Sequence, residues 1–206
     1  MNLDWPQAFR SWPNTTPGWR NWFRKVAGIY RAIWEQYDIG QCLNLSLSTM
    51  VRNEPLLTSA SFFCCDAISA FLFGHGPMTP TLLDVMMLTG LNISASDRSF
   101  SFLEKASFKI ETRSIGVWKG YVSRNMKTSS VLVREHTAFL DMWLEKFIFY
   151  GKAVGPTNNA LKMAETLANG NLVPLVKYLL CSVYHLLHQV SVRLRNDQPI
   201  SNLGGP

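Results

Sequence analysis

Between Phe71 and Leu91 the chain leaves itself few conformational choices. Phe71-Leu72-Phe73 and Met78-Thr79 flank Gly74-His75-Gly76-Pro77, a glycine-rich turn suited to closing a short hairpin. Pro80 cannot donate to a sheet ladder, which confines it to an edge. Thr81 with Asp84 has the form of a capping box, Asp standing where Glu is usual. Leu82, Val85, Met86 and Leu88 then supply an apolar face before Gly90 at the C-cap. A helix from Thr81 to Thr89 is predicted directly behind a hairpin near residues 71–80.

The rest of the chain has helical periodicity. Thr16-Pro17 has the form of an N-cap and first-turn pair. Trp19, Trp22, Phe23, Val26, Ile29, Tyr30, Ile33 and Trp34 follow at three- and four-residue spacing, predicting a helix from about Pro17 to Tyr37. Its other face carries Arg20, Arg24 and Arg31, with Glu35 near the end. In Gln41–Met50, Leu43, Leu45 and Leu47 alternate, so helix and strand compete there. Leu56, Leu57, Ala60, Phe63, Cys64, Ala67 and Ile68 predict a core helix from Pro55 ending near Asp66 to Ser69. One more helix is expected from Val117 to Met126, in an otherwise polar and basic stretch, 92–130, read as a loop-rich insertion.

Phe139, Leu140, Trp143, Leu144, Phe147 and Ile148 form a clean stripe within a helix from Arg134 to Phe149, stopped by Gly151. Thr157 is the expected cap of a short helix carrying Leu161, Ala164 and Leu167. A long helix from Asn171 to about Arg195, apolar on nearly every side, is predicted at the centre of a bundle. Asn196 to Pro199 breaks it. The fold class expected is mainly α, a single compact helical bundle-like domain over residues 1–206 with a short β-hairpin near residues 71–80.

Composition narrows the function classes. A chain of 206 residues with 47% hydrophobic content can bury a core, so disorder is not the default. Four cysteines, two of them adjacent, make no disulfide framework and suit a reducing compartment. The N-terminus lacks the basic start and apolar run of a signal peptide. Leu172–Val192 is interrupted by Lys177, Ser182, His185, His188 and Gln189, too polar for a membrane span. No membrane is expected as a partner.

Several constellations invite chemistry. Cys181, His185 and His188 share one helical face, but a zinc site needs further ligands, and the expected role is that of buried, hydrogen-bonded core residues. His136, among Phe139, Leu140 and Trp143, is likewise expected to be structural. Cys64 or Cys65 with Asp66 and His75 contains the residue types of a nucleophile, orienter and base without a recognised local signature. Asp84, Glu135, Asp141 and Glu145 are expected as caps or solvated helix face. P-loop, dinucleotide-binding, zincin and nucleophile-elbow patterns are absent. No catalytic residue, metal or cofactor is assigned, and the methionines are expected to be core fillers.

Charge is the remaining signal. The formal net charge is +6, and the segment from Arg98 to Arg134 holds eight Lys/Arg against Glu104 and Glu111. Lys105, Lys109, Arg113, Lys119, Arg124, Lys127 and Arg134 interleave there with Phe102, Phe108, Trp118 and Tyr121, a composition suited to phosphate contacts beside apolar anchors. A solvated surface loop accounts for it equally well. Trp19, Trp22 and Trp34 are expected in the core. Trp5 and Trp12 stand as candidates for a partner-binding face.

The order Phe71-Leu-Phe-Gly-His-Gly-Pro-Met-Thr-Pro-Thr-Leu-Leu-Asp-Val-Met-Met-Leu-Thr-Gly-Leu91 resembles the signature of the plant mobile domain, found in maintenance-of-meristems-like proteins and several plant transposons. Gly18-Trp19-Arg20, Glu135 to Leu140 and Pro174 to Val190 extend the resemblance over most of the chain. Pro77 where Glu is frequent, Cys64 where Trp is common, and Ser94-Ala95 where Asp-Gly usually follows are departures. The family tends to continue past the Gly-Gly-Pro that ends this chain, so a C-terminal edge is expected to be missing.

The resemblance implies a nuclear, non-catalytic module. Its implied roles are transposable-element silencing, transcriptional control and meristem maintenance, with phosphatase-like partners in some members. The label aminotransferase-like is often attached to the family, but no lysine here lies in a recognisable pyridoxal-phosphate setting. Two functions follow: duplex DNA or chromatin binding, and a protein-interaction scaffold. Thr81 to Leu91 also resembles the first half of a helix-turn-helix, which would need a second helix from about Ser94 to Asp97.

Overall fold

The computed structural model describes residues 13, 15–51, 53–94, 104–112, 115–127, 131–149 and 155–198. It is mainly α with one small antiparallel sheet. The helices are α1 (Trp19–Gln36), α2 (Gly40–Leu45), α3 (Glu54–Phe62), α4 (Leu82–Thr89), α5 (Val117–Asn125), α6 (Val133–Trp143), α7 (Leu161–Ala168) and α8 (Leu175–Arg195). Strands β1 (Cys64–Cys65), β2 (Ala70–Phe73) and β3 (Gly76–Met78) lie between α3 and α4 in the order β1-β2-β3.

The hairpin forms as its residues dictate: Phe71 pairs with Met78 and Phe73 with Gly76. Pro77 sits on the edge strand, where its missing N–H costs no ladder bond. Pro80 lies just past that strand, its carbonyl accepting the Tyr184 hydroxyl at 2.6 Å. The capping box is present. The Asp84 amide donates to Thr81 Oγ1 at 3.2 Å, and the Thr81 amide donates to Asp84 Oδ2 at 2.7 Å. Hydrogen bonds from Thr81 hold the Asp84 carboxyl below the usual carboxylate value. Gly90 closes α4 at φ +72, and a Cβ there would meet Gln41 Oε1 at 2.6 Å, so glycine also lets α4 approach α2.

Elsewhere tertiary pairing overrides local pattern. The helix from Pro55 stops at Phe62 rather than running to Asp66–Ser69, because Cys64 and Cys65 pair with Phe71 and Ala70 as a third strand. Nor is it a core helix: Leu56, Leu57, Phe62 and Phe63 are exposed. The competition in Gln41–Met50 resolves as helix over Gly40–Leu45. Thr16 does not cap α1; Gly18 holds the N-cap position, and the Thr16 hydroxyl accepts a hydrogen bond from Lys146. Burial lowers the Lys146 ammonium to about 8.

Thr157 is not the cap of α7 either. No side chain among the described residues caps α7; Glu145 instead holds the turn before it, accepting the amides of Thr157 at 2.6 Å, Asn159 at 3.0 Å and Ala160 at 3.3 Å.

The centre of the fold is α6, not α8. Every residue from Glu135 to Trp143 is buried. Phe139 lies between stacked Trp19 (4.7 Å) and Trp34 (5.5 Å), with Trp22 edge-on at 5.5 Å. After Trp143 the predicted continuous helix widens into a π-turn, Leu144–Ile148, closed by the Phe149 amide on the Leu144 carbonyl at 2.8 Å. α8 starts only at Leu175, because the ring of Pro174 disfavours the helical region for Val173 before it. α8 buries only Leu175, Val176, Leu179, Val190 and Ser191. Its far half packs on α3, β1 and α4, which are themselves thinly covered.

Met142 and Met163 fill the core, whereas Met78 and Met87 are exposed, contrary to a uniform filling role. No helix among the described residues is long and apolar enough to cross a membrane.

Candidate nucleic-acid interface

The basic segment reaches the surface from three elements. Lys105, Lys109 and Glu111 lie on the chain entering α5, Lys119 and Arg124 on α5, Lys127 just after it, and Arg134 on the first turn of α6. Arg124, Lys127 and Arg134 come together with Ile110, Glu111 and Glu135 around a cleft of about 400 Å³. Lys105, Lys109 and Lys119 are exposed but do not line it, and Arg113 lies outside the described residues, as do Trp5 and Trp12.

Buried groups hold this cleft in shape. Glu135, its side chain 3% exposed, accepts Lys25 Nζ at 2.7 Å and Trp22 Nε1 at 3.0 Å. Lys25 also donates to the Lys127 carbonyl, tying the end of α5 to α1. Arg134 donates to the Lys109 carbonyl at 3.0 Å with its guanidinium 5.3 Å from the Phe108 ring centroid. Arg124 pairs with Glu111, both half exposed, where an ion pair contributes little stability. Lys105, Lys109, Lys119 and Lys127 have no carboxylate within ion-pair distance among the described residues.

Further struts fix the approach to α5. Ser107 donates its amide to Glu165 at 3.0 Å, and Lys162 bridges Glu104 (3.3 Å) and Glu165 (3.5 Å). Burial opposes ionisation of Glu165, yet the Ser107 and Lys162 contacts outweigh it and keep that carboxyl below its usual value. Tyr121 donates to Asp141 Oδ2 at 2.9 Å in the core. Burial, reinforced by nearby Glu145, pushes the Asp141 carboxyl well up. Three aromatic residues of the segment serve the fold: Tyr121 is fully buried, Trp118 packs edge-on against it at 5.8 Å, and Phe108 lies beneath Arg134. Phe102 lies outside the described residues.

Two expectations about carboxylates need correction. Glu135 and Asp141 are neither caps nor solvated face; they are buried. A signal was present, because Glu135 falls at i, i+4 and i+7 with Phe139 and Met142 and so shares their stripe. Lys25, its partner from another helix, had no such signal. His136 is structural as expected: Trp34 Nε1 donates to its Nε2 at 3.0 Å, Tyr30 stacks on it at 3.8 Å, and burial lowers its pKa to about 4.

The other constellations do not assemble. Cys181, His185 and His188 are exposed rather than buried, and the described residues contain no group of three or more His, Cys, Asp or Glu able to hold a metal ion. Asp66 pairs with Arg195 at 2.6 Å. Burial, followed by the charges of Cys65 and Asp66, raises the Cys64 thiol, the reverse of nucleophile activation. The second helix of a helix-turn-helix would fall mostly outside the described residues; Ser94 itself is not helical.

Among known proteins, no curated protein and no solved structure matches the chain. A family model described as Plant mobile domain matches residues 38–203, from just after α1 through the π-turn, α7 and α8. On that match, which spans well over half of its length, the chain belongs to the plant mobile domain family.

Proposed function

We propose that this plant mobile domain is a non-catalytic nuclear module that binds duplex DNA. On this reading it acts in transcriptional control, transposable-element silencing and meristem maintenance. The observation that carries the reading is the cleft, where Arg124, Lys127 and Arg134 converge from separate elements and Lys25 neutralises the buried Glu135. Exposed Lys105, Lys109 and Lys119 extend positive charge outward along the same segment. Phosphate contacts of this kind supply affinity and position without sequence readout. Reversing charge at Lys119, Arg124 and Lys127 to Glu lowers affinity for any duplex in fluorescence anisotropy. It also flattens the salt dependence by roughly one unit of slope per lost contact. Unchanged affinity sinks the proposal.

A second reading, a scaffold that docks a phosphatase-like nuclear protein, is favoured by a different region. Leu56, Phe62, Ile68, Leu83, Met87 and Leu88 are each more than half exposed, all within α3, the sheet and α4. Exposed apolar surface of that kind marks interaction sites. Trp5 and Trp12 remain its candidate contacts.

A further inference from the structure

We infer that the outward face of α1, carrying Arg20, Arg24 and Arg31, is a second arm of the same surface and takes the sugar-phosphate backbone of a nucleic-acid duplex. This rests on the DNA-binding reading of the cleft and extends it to a helix that precedes the family match.

α1 has two unlike sides. Trp19, Trp22, Phe23, Val26, Ala27 and Trp34 are buried, and the opposite stripe of Arg20, Arg24, Gly28, Arg31 and Glu35, spaced at three and four residues, is exposed. Arg20 donates to the Leu47 carbonyl at 2.7 Å and Arg24 to Asn21 Oδ1 at 3.2 Å, both neutral acceptors. No carboxylate among the described residues lies within ion-pair distance of Arg20, Arg24 or Arg31. Arg124 and Arg195 differ in that each holds an acid, whereas Arg134, like the row, donates to a carbonyl.

Shape and continuity point the same way. Gly28 stands between Arg24 and Arg31 with open space where a Cβ would be, on a shallow groove of about 710 Å³ whose lining also includes Ala27, Ile29, Ala32, Leu47 and one carboxylate, Glu35. A ligand backbone can approach closely there. Lys25, next to Arg24 in sequence and about 100° round the helix from it, reaches the cleft through Glu135 and the Lys127 carbonyl, so one helix borders both row and cleft. Eleven residues of helix place Arg20 and Arg31 about 16 Å apart along the axis, so the row can meet more than one phosphate. Guanidinium forks suit phosphate oxygens. The groove beside the stripe also has apolar lining, Phe23, Ala27, Ile29, Ala32 and Leu47, so an acidic amphipathic helix is the competing occupant that the test below separates. The arginine stripe itself offers only Gly28 as an uncharged position.

The test is anisotropy of a fluorescent duplex of about 20 base pairs against the full chain, titrated over roughly 50 to 200 mM salt. The expected result for Arg24→Ala/Arg31→Ala is a slope shallower by about 1.8, so that the affinity lost across that range shrinks by about tenfold. Arg24→Lys/Arg31→Lys keeps the slope, and Arg31→Ala alone gives about half the change. Far-UV helix content stays unchanged, since both sites are exposed and alanine favours helix. Unchanged slope and affinity in the double alanine variant, with the cleft reversal still weakening binding, overturns the inference and leaves the cleft reading intact. Absence of duplex binding by the unaltered chain overturns both. Competition by polyglutamate that disappears in the double alanine variant, with duplex binding unchanged, assigns the row to an acidic protein and also overturns it.

Discussion

α4 and α6 show how little local apolarity says about burial. α4, Leu82-Leu-Asp-Val-Met-Met-Leu-Thr89, is by residue type the more apolar helix, yet it buries only Val85. α6 contains Arg134, Glu135, His136 and Asp141 and is buried from Glu135 to Trp143. What separates them is what packs against each. α6 is enclosed by α1, α5 and α7, and its polar groups find Lys25, Trp22, Trp34 and Tyr121 as partners. α4 meets mainly α8 and α2 and leaves Leu83, Met87 and Leu88 to solvent. The α6 half is a core with embedded polar contacts, and the α3–sheet–α4 half is a thin layer on the far end of α8.

The contrast can be broken by substitution. Phe139→Ala removes the ring stacked between Trp19 and Trp34 and is expected to destabilise the protein by about 3–5 kcal/mol in urea denaturation. A loss below about 1 kcal/mol would remove α6 from the centre of the fold.

The next largest effect depends on pH. Burial lowers the His136 pKa from 6.5 to about 4, so between those values the unfolded chain binds a proton that the fold refuses. Stability from this group is complete above pH 6.5 and is lost as pH falls toward 4, by roughly 3 kcal/mol in all. His136→Gln keeps an acceptor for Trp34 Nε1 and loses that part of the slope; parallel pH profiles for the two proteins would count against a buried neutral imidazole.

At the small end, Met87→Ala, at a position 72% exposed, changes stability by no more than about 0.5 kcal/mol. A larger loss in the isolated chain would mean that the α4 surface is covered in solution.

Legibility followed the range of the interactions. The capping box, the Gly90 C-cap, the hairpin and the α1 stripe rest on contacts within a few residues, and each was written in the residue order. The contacts that Glu145 makes to the turn before α7 and the Lys25–Glu135 pair join positions distant in sequence, and no local pattern reports them; β1 is hidden differently, because helical spacing from Leu56 to Ile68 runs over a strand whose partners are only five and seven residues on. α8 misled for a related reason: its apolar residues are spread around the helix, but its far half has only thin elements to pack against. For the candidate interface, sequence identified the basic segment. Only the fold brought Arg124, Lys127 and Arg134 together and set their aromatic neighbours facing inward.

The central claim is that the basic face, and not the apolar α3–α4 layer, meets nucleic acid. Mapping backbone amide chemical shifts while a duplex is titrated into the full chain tests it most directly. The account predicts shifts along residues 104–134 and at Arg20, Arg24, Gly28 and Arg31 on α1, with α3, the sheet and α4 unmoved. Shifts concentrated on Leu56, Phe62, Met87 and Leu88, with α1 and α5 silent, would contradict it.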